Sequence, residues 1–72
     1  MWTIEVDGKD RWMMERVEPG VIWQYTVTMI EGHLRFYSHP MSDDNTHFDF
    51  EGTDLIEGAN AAMVYESDKY RL

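Results

Sequence analysis

The sequence predicts an α+β domain: an antiparallel meander sheet of four or five strands with one C-terminal helix packed on one face. Three observations carry this. Apolar and polar residues alternate with a period of two through residues 2–6, 21–30 and 34–38. Turn dipeptides separate these runs, and from about Asp54 to Tyr70 the period becomes helical.

Trp2, Ile4 and Val6 point one way and Thr3 and Glu5 the other, the pattern of a half-buried strand. Asp7-Gly8 supplies a turn. Residues 9–18 are ambiguous. Met13, Met14 and Val17 would share one helical face, and Met, Glu, Arg and Lys favour helix. The Asp-Gly before them and the Pro19-Gly20 turn after them favour a strand, which is the reading adopted. Val21 to Ile30 is the clearest strand, rich in β-branched and aromatic residues. Glu31-Gly32-His33 turns the chain into a strand from Leu34 to Ser38, which Pro40 ends. Residues 40–47 read as an exposed loop, and Phe48 and Phe50 mark a short edge strand. In the helix, Leu55, Ala59, Ala62, Met63 and Glu66 make the inward stripe, and Ile56 widens it. Thr53 or Asp54 can cap its N-terminus, and Asp54 with Glu57 three residues on resembles a capping box. Gly58, Ala59 and Ala62 are small enough to let the helix lie close on the sheet.

Seventy-two residues without a cysteine make a single domain, with no disulfide or thiolate metal site to reinforce it. Stability must come from three Trp, four Tyr, three Phe and six Met. No basic leader and no long apolar span are present, so a cytoplasmic protein with no membrane partner is expected. Net charge is −8 and uneven: residues 1–36 carry −2 and residues 37–72 carry −6. Between Arg35 and Lys69 there is no Lys or Arg. That field disfavours direct contact with nucleic acid and favours a basic protein surface.

Catalytic signatures are missing. There is no glycine-rich phosphate loop, no Gly-x-Ser-x-Gly elbow and no His-Glu-x-x-His, so neither an enzyme nor a cofactor is expected. His39, Asp43, Asp44, His47 and Asp49 are the residue types of a divalent-metal site, but their spacing fits no ligand pattern. A solvated turn with surface histidines is the preferred reading.

The run from Asp43 to Glu57 is the strongest feature. If Phe48 and Phe50 face inward, Asp49 and Glu51 share the solvent face, about 6.6 Å apart. Asp54 and Glu57 follow on the first helical turn, where the helix dipole also favours anions. Asp43, Asp44, Asp49, Glu51, Asp54 and Glu57 are therefore the candidate partner-binding carboxylates. The second clue is an aromatic and methionine surplus: Trp2, Trp12, Met13, Met14, Trp23, Tyr25, Tyr37 and Met41. Some of these should lie on the open face of the sheet, with Trp12 and Tyr37 as binding anchors. A second small core or a homodimer seam would accommodate the same surplus.

In overall character (short, acidic, free of cysteine, rich in aromatics) the chain resembles the small phage-encoded antagonists of bacterial defence, anti-CRISPR proteins among them. Those proteins share no motif, so the resemblance assigns no residue. It implies a stoichiometric inhibitor that covers the basic nucleic-acid-binding surface of an effector. An immunity protein or antitoxin against a basic nuclease, or a structural subunit assembling through sheet edge and aromatics, are the alternatives.

Overall fold

A computed structural model of the chain describes residues 1–39 and 47–69. Five strands, β1 (Thr3–Val6), β2 (Arg11–Glu18), β3 (Val21–Ile30), β4 (His33–His39) and β5 (His47–Phe50), precede one helix, α1 (Leu55–Lys69). The strands form one antiparallel sheet in the order β1-β2-β3-β4-β5. The meander and its helical cover are as the sequence predicts. The ambiguous segment is a strand, because residues 11–18 pair with β3 and residues 12–15 also with β1, and the ladders outweigh their helical propensity.

Turn chemistry fixes the register. Pro19-Gly20 joins the Glu18–Val21 pair, with Gly20 at φ 81°, the positive value a type II turn requires after proline. Glu31 and Gly32 close the Ile30–His33 pair at φ 47° and 85°, both left-handed as in a type I′ hairpin. Those pairings bring Tyr25, Val27, Leu34 and Phe36 to one face, where they are buried with Trp2, Met14, Ala59 and Ala62. The helix lies over β4 and β5. Gly58 permits the close approach: a Cβ there would sit 2.6 Å from the Phe36 ring and 3.1 Å from Phe50.

The inward stripe of α1 ends in a carboxylate. Glu66 is buried and accepts hydrogen bonds from the Tyr25 and Ser38 hydroxyls. Its burial is tolerated because both oxygens are satisfied. Burial first, and the Glu66 carboxylate second, push the Tyr25 phenol well above the ordinary tyrosine range.

The aromatic surplus is accommodated mainly on the core face. Trp2, Met14 and Tyr25 are buried there, and Trp12 and Trp23 pack half-buried against them. Of the residues considered for the open face, Met13 and Tyr37 lie on it, one position out of phase with their core neighbours. Met41 falls outside the described residues.

Candidate functional site

Among the described residues no element covers the sheet face turned away from α1, and the strand register determines which charges meet on this open face. Asp49 pairs with Arg35 across β4 and β5. The guanidinium grips the carboxylate with both edges: Nε donates to Oδ1 at 2.6 Å and a terminal nitrogen donates to Oδ2 at 3.2 Å. His33 and His47 flank the pair, each with Nε2 3.6 Å from an Asp49 oxygen. The Arg35 guanidinium holds the Asp49 carboxyl below the usual carboxylate range. A carboxylate so engaged has little attraction left for a partner's cation.

The predicted acidic patch is therefore divided. Asp43 and Asp44 lie outside the described residues. Asp49 is on the open face with its own cation. Glu51, Asp54 and Glu57 are exposed where the chain leaves β5 and enters the helix on the other face. Asp54 Oδ1 accepts the Glu57 backbone N–H at 3.0 Å, so this carboxylate caps the helix. Trp12 is half-buried against the core, which leaves it a packing role. Tyr37 is half-buried on the open face, its ring 6.1 Å from the His47 imidazole.

The concavity that the sequence reading missed lies at the other end of the open face. Thr3 and Glu5 of β1, Met13 and Glu15 of β2 and Gln24 of β3 line a shallow hollow of about 450 Å³. Pairing sets Thr3 opposite Glu15 and Glu5 opposite Met13, so the two carboxylates stand diagonally across an apolar floor. Diagonal neighbours on an antiparallel pair are roughly 7–8 Å apart, a span that one ammonium or guanidinium bridges. Gln24 Nε2 donates to Glu15 Oε2 at 2.6 Å and steadies that side chain. Among the described residues, no Lys or Arg pairs with Glu5 or Glu15. The alternation of residues 2–6 placed Glu5 on the solvent face, but Glu15 required the β1–β2 register.

Among the described residues no group of three His, Cys, Asp or Glu is arranged to hold a metal ion. No described helix is long and apolar enough to cross a membrane. No protein family matches the chain, and comparison with curated proteins and with solved structures gave no significant match.

Proposed function

We propose that this protein acts by stoichiometric binding of a basic protein surface, and that the hollow between Glu5 and Glu15 receives a lysine or arginine side chain of the partner. One observation carries the reading: two exposed carboxylates that no Lys or Arg among the described residues pairs with flank an apolar floor, in a protein of net charge −8. A long cationic side chain lays its methylenes on Met13 and its charge between the carboxylates. Glu51, Asp54 and Glu57 add to the field that steers a cationic partner inward.

An inhibitor of the anti-CRISPR type, acting in the cytoplasm on a nucleic-acid-binding effector, is the specific form of this reading, and an immunity protein against a basic nuclease shares the mode. The dimensions limit the mimicry. The longest extent is 35 Å, and duplex of that length carries roughly 20 phosphates at one per ~1.7 Å. A protein of net charge −8 covers part of such a binding site.

Affinity capture with tagged protein, compared with Glu5→Lys/Glu15→Lys, tests the proposal. A basic protein held by the wild type should be lost from the double variant, its affinity reduced about tenfold or more. A partner retained equally by both would overturn it. Circular dichroism of the variant controls for folding.

A further inference from the structure

We infer that the partner's basic segment is an extended strand that pairs antiparallel with the outer edge of β1, making a sixth strand of the sheet. The inference rests on the proposed basic partner and specifies how it docks. Among the described residues β1 is an outer strand of the sheet, with β2 on its inner side alone. Asp7 N donates to Arg11 O at 2.9 Å, and Met29 N donates to Asp10 O on the far side of β2. Backbone direction alternates along a strand. Asp7, Glu5 and Thr3 therefore turn their amides and carbonyls to β2, while Ile4 and Val6 aim theirs outward.

Those same two residues carry exposed apolar side chains, Ile4 at 39 % and Val6 at 68 %. Natural edges are commonly blunted with lysine, proline or a bulge. β1 is short, and its four residues, Thr-Ile-Glu-Val, carry one charge, Glu5, which would repel an acidic strand and attract a basic one. They contain neither lysine nor proline and pair without a bulge. The open-face side chains of the edge are Thr3 and Glu5, which form one wall of the hollow.

An added strand thus meets two chemistries in alternation. Residues opposite Ile4 and Val6 share their face and are apolar. Residues between them lie over Thr3 and Glu5, where lysine or arginine reaches the two carboxylates. The matching occupant alternates apolar and basic side chains, a pattern that β-strand addition reads through backbone bonds and alternate pockets. A second copy of this chain fits poorly, since each brings a net charge of −8 and centring the pair on Glu5 would oppose like carboxylates.

The test uses a capped peptide of alternating valine and lysine, titrated into the isotope-labelled 72-residue chain. At peptide near ten times its Kd, amide exchange at Ile4 and Val6 should slow about tenfold, because bound fraction sets protection. N-methylation of the valine amides, which point at β1 in this pairing, should abolish the effect, and N-methylation of the lysine amides should preserve it. Shifts at Glu5, Met13 and Glu15 without protection of Ile4 and Val6 would overturn strand addition and leave the acidic hollow standing. Equal loss from both methylated peptides would also overturn it. Protection of Ile4 and Val6 in the free protein that disappears on dilution would show the edge occupied by a second copy, and would overturn the choice of partner.

Discussion

Single atoms account for two features of this chain that propensity alone would judge wrongly. Gly58 occupies a helical position where alanine is favoured by about 1 kcal/mol. A methyl there would lie 2.6 Å from the ring of Phe36, which is 1 % exposed and has nowhere to go. Overpacking of this kind costs about 1–3 kcal/mol. Gly58→Ala should therefore lower the urea midpoint, and a raised midpoint would show that the ring yields. Glu31 presents the opposite case. Its φ of 47° lies in the left-handed region, which asparagine tolerates far better than glutamate. Glu31→Asn should stabilise the hairpin by part of the roughly 1–2 kcal/mol that the left-handed region costs, read as a higher melting temperature with unchanged circular dichroism.

The union of helix and sheet depends on a polar tie as well as on packing. Glu66 reaches from the last turns of α1 to the Tyr25 hydroxyl on β3 and the Ser38 hydroxyl on β4. Tyr25→Phe removes a hydrogen bond to a buried carboxylate, a loss of about 1.5–3 kcal/mol, and urea unfolding monitored by tryptophan fluorescence measures it. The Tyr25 phenol is raised, so its contribution is complete below about pH 10. It is lost above that, where the unfolded tyrosine ionises and the buried one keeps its proton. Ultraviolet titration should find the same phenolate amplitude near pH 10 in the wild type and in Tyr25→Phe. Asp49 behaves with the opposite sign. Its carboxyl is lowered by Arg35, so the pair's contribution holds above about pH 3.9 and fades as pH falls through the folded value. Replacing Asp49 with asparagine should flatten the acid limb of a stability–pH profile. The pair is exposed, so the effect is small.

Across the whole molecule the dominant quantity is uncompensated negative charge. With fourteen acids and only six bases, the excess carboxylates repel one another throughout the globule. Raising salt from roughly 10 mM to 200 mM shortens the Debye length from about 30 Å to below 10 Å. The melting temperature should rise accordingly, although Arg35–Asp49 is weakened by the same screening. Partner affinity should fall over the same range, since a contact built on Glu5 and Glu15 is a contact between charges. Unchanged affinity would indicate an apolar interface. Calorimetry at the two salt concentrations separates these outcomes.

The amino-acid order by itself determined the elements except β2, whose helical propensity was overridden by the ladders on either side. Alternation in residues 2–6 and 21–30, the Pro19-Gly20 and Glu31-Gly32 turns and the spacing of Leu55, Ala59, Ala62 and Glu66 are local signals, readable over a few residues. It also gave the sign of the field and the small-residue face of the helix. The candidate site was legible only in part. Tertiary structure decided that Asp49 meets Arg35, that Glu66 ends between two hydroxyls and that Glu5 and Glu15 flank one hollow. Each is a meeting of residues distant in sequence, the first and last fixed by strand register and the second by how α1 lies on the sheet. Shifting a register by one residue would send every such side chain to the other face. A carboxylate's chemistry depends on the neighbour that register provides, and composition does not record that neighbour.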